Sequence, residues 1–511
     1  MKTISNVLIV GGGTAGWLTA AFLAKSLGSS APGSVAITVV ESPEIATIGV
    51  GEGSFPSMRG TLAAIGIDEA TFIRECQATF KQGIKFVDWV RPPGQSGSDH
   101  YFHPFSMPSQ RVGGVELLPY WLQGVAPEGV PFASAVTMQK LIADQCRAPK
   151  RENDQDFLGP MNYAYHFDAG LFAQLLERHA KTLGVGHKKA TITDVLLTED
   201  GAISALHTSE GVSLCADLYI DCSGFHAALI GRALGSSFKS VDDVLFVDRA
   251  VAMQVPYSSS DSEIPSYTIS TAQTAGWIWD IGLQQRRGIG YVYSSRYEDD
   301  VAAEKTLRQY IGPAADEQAA RFIKLKLGYR PQQWVKNCVA VGLSGGFLEP
   351  LEASGIGLVE TAAYLISYLF PADGNQVPVA KLFNELMCQR YERIVDFIKM
   401  HYCLTQRRDS AFWCDNVDPI SEKLKEQLAM WRCRPPHRLD FVSDVEMYPC
   451  SSWQYVLYGM EFKTNMPSNP MVWHRGVDAA KEFEMIAMLS QRALQDLPKH
   501  RSLITHLCKK K

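Results

Sequence analysis

The stretch Gly11-Gly12-Gly13-Thr14-Ala15-Gly16 decides the fold of this 511-residue chain. It follows an apolar run at residues 6–10 and precedes residues 17–24, whose composition suits a helix. Strand, glycine turn and helix in this order form the context that a dinucleotide-binding fingerprint requires. The pattern predicts a Rossmann-like α/β fold with a dinucleotide site at this turn.

The residues of this turn have separate predicted roles. Gly11 permits the tight turn, Gly13 lets a pyrophosphate approach the backbone, and Gly16 allows the helix to pack closely on the strand. The phosphates then lie at the positive N-terminus of the helix, beside Thr14 and Ala15. A glycine turn with a purely structural use is the alternative at this point.

A second strand is predicted at residues 36–40, and it ends in Glu41, the acidic residue expected on an adenosine ribose. Residues 29–34 are expected to form a loop that lengthens the spacing. No second Gly-x-Gly-x-x-Gly follows a strand, as an enzyme with two dinucleotide sites would need. Later apolar runs end in the small residues of 221–225 and 342–346, which suit a backbone close to an extended cofactor. FAD therefore fits better than NAD.

Bulk properties indicate a soluble enzyme. Hydrophobic residues make up 46% of the chain and charged residues 20%, which is ordinary for a globular protein. The net charge of -5 gives no attraction for nucleic acid or anionic membranes. Eleven cysteines without a Cys-x-x-Cys pair predict reduced thiols in a cytoplasm. Neither a secretory leader nor a membrane-spanning run is expected, and no metal site is predicted.

The predicted organisation is a discontinuous core followed by a helical module. The core covers residues 1–400, with a substrate-side insertion at about 85–160 and a sheet at about 240–300. Charged helices and Pro-rich turns at 401–511 predict a module that covers the substrate. Helical spacing is also read at residues 301–323.

Beyond these patterns, the chain resembles the flavin-dependent halogenases of the tryptophan halogenase type, over nearly its whole length. The resemblance implies the glutathione-reductase-type fold of flavin monooxygenases. The matching motifs, besides the glycine turn and Trp17, are Ile48-Gly49-Val50-Gly51-Glu52, Phe80-Lys81, Tyr163-Ala164-Tyr165-His166-Phe167-Asp168, Gly276-Trp277-Ile278-Trp279-Asp280-Ile281 and Phe347-Leu348-Glu349-Pro350-Leu351-Glu352-Ala353-Ser354-Gly355-Ile356.

Two departures from the family pattern indicate a divergent branch with the same chemistry. The family's Trp-x-Trp-x-Ile-Pro ends here in Gly282, and Glu52 is followed by Gly53-Ser54 where Ala-Thr is usual.

Lys81 and Glu352 are the catalytic residues that the resemblance implies. Lys81 lies where the family keeps the lysine that delivers electrophilic halogen, by hydrogen bonding hypohalous acid or by capturing it on a neutral amine. Glu352 is expected opposite Lys81, polarising the halogen donor or accepting the proton that the aromatic ring loses. By residue type alone, the alternative for Lys81 is a snorkelling surface lysine, and the alternative for Glu352 is a surface carboxylate or a helix N-cap partner. Lys85 is the competing lysine.

The remaining site residues also come from the resemblance. Ser354 and Gly355 occupy the halide positions, with serine in place of the usual threonine. The positions that contact flavin are Val195, Leu343 and Ile356.

For the aromatic residues of the site, the resemblance implies functional roles, and a purely structural role is the alternative. By the resemblance, Trp277 and Trp279 separate the flavin from the substrate, so that only the small hypohalous acid passes. The alternative is that two tryptophans on one face of a strand belong to the core or form a surface on which a sugar stacks. His103 and Phe105 match a His-x-Phe motif whose rings hold an indole, although His103 also reads as a loop histidine. Tryptophan-specific members use a Tyr-Tyr pair and a carboxylate to hold the amino-acid end, and this chain contains no Tyr-Tyr. The prediction is a more open site for indole or a substituted indole.

The predicted function is that of a two-component halogenase that uses FADH2, O2 and chloride or bromide on an electron-rich aromatic. A separate NAD(P)H-dependent flavin reductase supplies the reduced cofactor, since no nicotinamide site is evident. The alternatives are a tryptophan halogenase, an FAD-dependent aromatic hydroxylase and a flavin-binding protein without catalysis. A homodimer is one option for the oligomeric state, which the sequence leaves open.

Overall fold

A computed structural model of the chain describes residues 3–28, 33–44, 51–442, 446–466 and 473–509. The matched residues Ile48–Val50 and the loop residues 29–32 lie outside these ranges. In chain order the strands are β1 (Asn6–Val10), β2 (Ala36–Glu41), β3 (Gly51–Gly53), β4 (Thr79–Lys81), β5 (Gly83–Val87), β6 (His100–Pro104), β7 (Ala164–Asp168), β8 (Gly186–Lys189), β9 (Ile192–Leu197), β10 (Ile203–Thr208), β11 (Ser213–Leu214), β12 (Leu218–Asp221), β13 (Lys239–Ser240), β14 (Arg249–Pro256), β15 (Thr268–Gln273), β16 (Gly276–Gly282), β17 (Arg286–Tyr293), β18 (Arg321–Lys324), β19 (Gly328–Tyr329), β20 (Trp334–Val335), β21 (Cys338–Ala340) and β22 (Gly346–Phe347). The α-helices are α1 (Thr14–Leu27), α2 (Ser57–Ile65), α3 (Glu69–Glu75), α4 (Leu117–Leu122), α5 (Phe132–Val136), α6 (Gln139–Asp144), α7 (Ala169–Thr182), α8 (Asp300–Ile311), α9 (Ser354–Tyr368), α10 (Gln376–Cys403), α11 (Ala411–Asp415), α12 (Glu422–Cys433), α13 (Cys450–Gly459), α14 (Gly476–Asp496) and α15 (His500–Lys509).

The chain forms two compact units, each assembled from three segments. The cofactor unit, as we call it, comprises Met1–Ala78, Phe167–Asp242 and Lys326–Glu392. The lysine unit comprises Thr79–His166, Asp243–Leu325 and Arg393–Lys511. Residues 401–511 thus share a unit with the strand that carries Lys81. The predicted division into a core over 1–400 and a module over 401–511 stays a prediction.

A parallel sheet is the centre of the cofactor unit. Its order is β20-β21-β12-β1-β2-β8, and all neighbouring strands are parallel except β20 and β21. The inner strands are buried on both faces because helices cover a parallel sheet, so β1 reads Val7-Leu8-Ile9-Val10 without alternation. This confirms the Rossmann-like α/β prediction.

The helices of the cofactor unit begin and end where the sequence supplies caps. The Asp168 carboxylate accepts a hydrogen bond from the Leu171 N–H at 3.0 Å and starts α7. Gly28, with φ of 63°, ends α1 in the left-handed conformation. Contacts of α1 with α7 and α9 then bury its apolar face.

An antiparallel sheet dominates the lysine unit. Its order is β18-β14-β17-β16-β15-β5-β6 in the described residues, with β5 and β15 as a parallel pair. One face buries an apolar cluster that includes Ile278, Tyr291 and Tyr293 together with Leu307 of α8. Because side chains alternate along a strand, Trp277 and Trp279 lie on the face opposite Ile278.

The helix predicted over residues 301–323 is correct only in its first half. α8 ends at Ile311, before Gly312 and Pro313. Residues Arg321–Lys324 instead form an edge strand against β14. Pairing with a sheet far along the chain overrides the local helical spacing here. Among the described residues, no helix is long and apolar enough to cross a membrane.

Candidate functional site

The glycine turn has the geometry that its fingerprint predicts. Gly11 adopts φ of 121°, and a methyl group added there would collide with the carbonyl group of Cys222. A methyl group at Gly16 would collide with the Gly11 carbonyl oxygen. At Gly13, by contrast, no heavy atom lies within 4 Å of an added Cβ. The turn is therefore tight on its protein side and open at Gly13, where a pyrophosphate would fit.

Three chain segments converge at the carboxyl ends of β1, β12 and β21. The Cys222 N–H donates to the Val10 carbonyl at 2.8 Å, which places residues 221–225 beside the glycine turn. The Ser344 hydroxyl donates to the Asp221 carbonyl. A Cβ added at Gly342 would lie 3.0 Å from the Cβ of Ala15. This edge of an open parallel sheet is where such folds bind their ligands, so the residues present fit FAD.

Asp221 organises the chain after β12, a role that sequence reasoning missed. Its carboxylate accepts hydrogen bonds from the backbone N–H groups of Ser223, Leu229 and Ile230 at 2.8–3.0 Å. A buried carboxylate with several amide donors fixes the conformation of a loop. Its position at the end of a predicted strand was the available signal.

Glu41 ends β2 beside the glycine turn. A methyl group added at Gly12 would collide with its carboxylate. Its Oε1 also lies 3.1 Å from Nε2 of His187, a residue on β8 that sequence reasoning did not select. The acidic side chain thus lies at the turn, as expected for a residue that binds ribose.

The predicted halide residues lie at the start of α9. Glu352 and Ser354 are buried, whereas Gly355 is exposed and a Cβ there would meet no heavy atom within 4 Å. Ala353 has φ of 56° and supplies no side-chain cap for the helix. The N-terminus of a helix without a side-chain cap presents amide donors and positive potential to an anion.

The predicted flavin contacts occupy different places in the cofactor unit. Leu343 lies in the 3₁₀ turn at Gly342–Ser344, and Ile356 is buried in the first turn of α9. Val195 lies on β9, opposite Leu206 of β10, and packs against the apolar cluster beneath the parallel sheet. A contact of these residues with flavin stays a prediction.

Lys81 is the last residue of β4 in the lysine unit and is 1% exposed. Its Nζ lies 5.3 Å from the ring centroid of Phe105, which is within the range of a cation–π interaction. Lys85 instead lies on β5, and its Nζ is 3.9 Å from Asp144. The two lysines are on separate strands and not on one helix, because β4 pairs with β7 and β5 pairs with β6 and β15. The buried position of Lys81 differs from that of a snorkelling surface lysine.

His103 and Phe105 join Lys81 in one aromatic cluster. The rings of His103 and Phe105 are 6.5 Å apart at an interplanar angle of 73°. His103 also lies 6.2 Å from the ring of Tyr455 and 5.9 Å from the ring of Phe397. Tyr455 belongs to α13, within the stretch that lacks a Tyr-Tyr pair, and sequence reasoning did not select it. The alternative of His103 as a loop histidine is wrong, because it is buried on β6.

Trp277 and Trp279 lie side by side on β16, with ring centroids 6.4 Å apart. Trp277 is buried, and Trp279 is partly exposed. Trp279 lies directly opposite Gly290 of β17, where an added methyl group would collide with the indole. A glycine under a cross-strand aromatic ring allows the ring to cover the backbone. Gly290 is therefore another residue that the sequence alone did not identify.

A neutral histidine lies near Lys81 in the lysine unit. His166 is fully buried on β7, opposite Thr79 of β4. Burial, followed by the positive charge of Lys81, holds the pKa of His166 well below its usual value. Its Nε2 lies 2.8 Å from the Thr268 hydroxyl. Lys81 therefore has an uncharged neighbour, while Glu352 belongs to the cofactor unit and its pairing with Lys81 stays a prediction.

Within the described ranges, no group of three or more His, Cys, Asp or Glu side chains is arranged to hold a metal ion.

Comparison with known proteins gives consistent matches along the chain. Residues 6–475 match the model of the tryptophan halogenase family. The chain is 34% identical to tryptophan 6-halogenase SttH of Streptomyces toxytricini, across 96% of each chain. It is also 34% identical to tryptophan 7-halogenase RebH of Lentzea aerocolonigenes, across 87% of this chain and 85% of the relative. The crystal structure of a tryptophan halogenase from Shewanella frigidimarina NCIMB 400 is similar, with a TM-score of 0.94 and 40% identity over 99% of this chain and 98% of that chain.

Proposed function

The chain belongs to the tryptophan halogenase family and is a flavin-dependent halogenase, and from this premise we propose which aromatic it takes and which residues act. The proposed substrate is indole or a substituted indole, with chloride or bromide as the halide. The observation that carries this proposal is the cluster of buried Lys81 and His103 with the partly buried Phe105 in the lysine unit.

The proposed cofactor residues are those of the glycine turn and its neighbours. When bound, reduced FAD supplies hypohalous acid from O2 and halide. Gly11, Gly13 and Gly16 let the turn surround the pyrophosphate, with Thr14 and Ala15 at the start of α1. Glu41 holds the ribose, while Val195, Leu343 and Ile356 contact the flavin.

The proposed halide site is the start of α9. The Ser354 hydroxyl and the Gly355 N–H are neutral donors, which suit a weakly hydrated anion such as chloride or bromide. The uncapped helix N-terminus supports this assignment. The carboxylate of Glu352, buried just before the helix, accepts the proton that leaves the aromatic ring.

Lys81 is the proposed delivery residue. Its ammonium is buried beside Phe105, where a hydrogen bond to hypohalous acid or capture of the halogen on a neutral amine fixes the electrophile near an aromatic ring. Trp277 and Trp279 form the barrier between flavin and substrate. The barrier admits the small oxidant and excludes direct oxygen transfer to the ring.

The proposed substrate is held by ring contacts. His103 and Phe105 offer two rings at a steep angle, and Tyr455 adds a third. The Tyr-Tyr clamp of tryptophan-specific members is absent from the sequence. The substrate thus binds by its aromatic part more than by an amino-acid group.

A separate NAD(P)H-dependent flavin reductase is the proposed partner, and turnover with an added reductase tests the function. The purified chain, FAD, NADH, O2 and equimolar chloride and bromide are incubated with a panel of aromatics, and products are read by mass spectrometry. Halogenated indole is expected. Oxygenated product without halide would support an aromatic hydroxylase, and no product at all would support a flavin-binding protein without catalysis.

Lys81→Ala tests the delivery role, with Lys85→Ala as the matched control. Removal of the buried ammonium is expected to lower product formation by about 10³-fold while FAD binding and flavin oxidation persist. Lys85→Ala is expected to retain the activity, because Lys85 lies on β5, a different strand from that of Lys81, and pairs with Asp144 of α6. Product at the wild-type level from Lys81→Ala, or its loss only from Lys85→Ala, would contradict the assignment.

A further inference from the structure

The strand that carries Lys81 is three residues long, and bonds from outside its ladder hold it. Besides its pairing with β7, the Phe80 N–H donates to Nε2 of His500 at 3.0 Å. The Thr79 hydroxyl donates to the Gly282 carbonyl at 2.6 Å. All these residues are buried and belong to the lysine unit. A short strand with so few ladder bonds depends on such anchors for its position.

The partners of His500 determine its protonation state. Its Nδ1 lies 2.9 Å from the Ile264 carbonyl oxygen, which can only accept, so Nδ1 carries the proton. The Phe80 N–H can only donate, so Nε2 is the bare acceptor. The imidazole is therefore neutral, in agreement with burial that lowers the pKa of His500 to about 4. One rigid ring thus bridges a donor on β4 and an acceptor in the loop before β15.

The second anchor joins the strand to the tryptophans. Gly282 is the last residue of β16, the strand that carries Trp277 and Trp279. An added Cβ at Gly282 would lie 2.7 Å from atoms of Ile264 and of Tyr257, so the chain there is closely packed. The backbone that carries Lys81 is consequently fixed to β16 through Thr79 and to α15 through His500.

We infer that His500 is a positioning residue for halogen delivery, which holds the backbone of β4 so that the Lys81 ammonium stays at the aromatic cluster, with Thr79 as the second anchor. The inference rests on the proposed delivery role of Lys81. A displaced lysine no longer intercepts hypohalous acid, and the acid then escapes to solvent. Misplacement of a reacting group by about 1 Å costs up to about a hundredfold in rate.

The partition of hypohalous acid between substrate and a solution trap tests the inference. Product per oxidised flavin and halogenation of an added β-diketone trap are measured for the full-length protein with reductase. In His500→Leu, trap halogenation is expected to rise and indole product per oxidised flavin to fall about tenfold. His500→Gln, whose amide offers one acceptor and one donor, is expected to restore part of the product.

Leu503→Ala is the matched control for stability. Leu503 is buried on the same helix, and its truncation weakens packing without removing either bond of His500. A structural defect alone lowers the amount of folded enzyme, and product and trap signals then fall together. Leu503→Ala is therefore expected to keep the wild-type partition.

Thr79→Val decides the matter if His500→Leu does not fold. It removes the hydroxyl bond to Gly282 at nearly constant volume, and Thr79→Ser keeps that bond. A raised trap fraction in Thr79→Val but not in Thr79→Ser supports the anchoring of β4. The inference is overturned if His500→Leu and Thr79→Val, folded, both keep the wild-type partition, or if Leu503→Ala shifts it equally.

Lys81→Ala separates this inference from the function on which it rests. Loss of product in Lys81→Ala, together with wild-type partition in His500→Leu and Thr79→Val, overturns only the positioning role. Wild-type product in Lys81→Ala overturns the delivery role itself and the positioning role with it.

Discussion

The two units hold their candidate residues in opposite ways. In the cofactor unit, the residues Gly11–Gly16 are consecutive in sequence, and their spacing predicts the dinucleotide site. In the lysine unit, each candidate residue has neighbours from other parts of the chain. Phe105 lies beside Lys81, and Gly290 lies opposite Trp279. His500 of the C-terminal helix accepts a hydrogen bond from Phe80, the residue before Lys81. A local motif can thus be read from one stretch, whereas the setting of Lys81 exists only in the folded chain.

The sharpest test of the local side of this comparison is Gly13→Val. A Cβ added at Gly13 meets no heavy atom within 4 Å, so a loss of affinity is expected to report the space that a pyrophosphate needs. FAD affinity is expected to fall about a hundredfold, roughly 3 kcal/mol, by fluorescence titration.

Gly60→Val is the matched control for this variant. Gly60 is exposed on α2 and likewise has open space at an added Cβ, but it lies outside the turn. Its FAD affinity is expected to stay at the wild-type value. Equal FAD affinities of Gly13→Val and Gly60→Val would contradict the prediction that Gly13 lies against the pyrophosphate.

Long-range contacts also exist in the cofactor unit, and Glu360→Gln examines one of them. Glu360 of α9 is 6% exposed and accepts hydrogen bonds from the hydroxyls of Ser57 and Thr61 of α2 at 2.8 and 2.5 Å. Burial raises the pKa of Glu360 to about 7 from 4.5, despite those two donors.

The sign of the effect on stability follows from proton binding. Between pH 4.5 and about 7 the folded chain holds the Glu360 proton more strongly than the unfolded chain, so the free energy of unfolding falls as the pH rises. The free energy of unfolding falls by about 3 kcal/mol at most over this range. In Glu360→Gln this contribution to the pH dependence is expected to be absent. Urea unfolding of the wild type and the variant from pH 5 to 8 measures this difference. Burial also raises the pKa of Glu52 to about 7, and its contribution to the pH dependence is expected to be the same in the wild type and the variant. Parallel pH profiles would contradict the prediction.

Gly290→Ala tests the non-local side. The added methyl group collides with the ring of Trp279 across the sheet, so the variant is expected to lose about 2 kcal/mol of stability and to change tryptophan fluorescence. In a Trp279→Ala background the same substitution is expected to cost almost nothing. An equal cost in both backgrounds, measured by urea unfolding, would show that the collision is not the cause.

Sequence reasoning succeeded where a feature depends only on residues that are close together in the sequence. The strand at residues 6–10, the turn after it and the acidic end of β2 need only neighbours in sequence, and the structure has all of them. It failed at residues 321–324, because pairing with β14 is a long-range contact.

The same limit applies to the candidate site. His500 is separated from Phe80 by 420 positions, and no pattern in α15 indicates that its imidazole accepts a hydrogen bond from β4. Gly290 carries no local signal either, since the ring that requires a glycine belongs to β16. The resemblance to a family identified Lys81, but only the fold shows what surrounds it.

The smallest expected effect concerns the substrate, where free indole is expected to be halogenated at least as well as free tryptophan. A site specific for the amino acid pairs the carboxylate and ammonium with buried polar groups, and these cost free energy when a truncated ligand leaves them unpaired. Without a Tyr-Tyr clamp, the rings of His103, Phe105 and Tyr455 are expected to hold both substrates alike. Attack is then expected at the most nucleophilic carbon, the pyrrole position next to the ring fusion.

Competition of equimolar indole, tryptamine and tryptophan, read by mass spectrometry, is expected to give rates within about tenfold of one another, or about 1.4 kcal/mol. Tryptamine separates the ammonium from the carboxylate, and a strong preference for tryptophan at one benzene-ring carbon would reveal an amino-acid clamp built by other residues of the lysine unit.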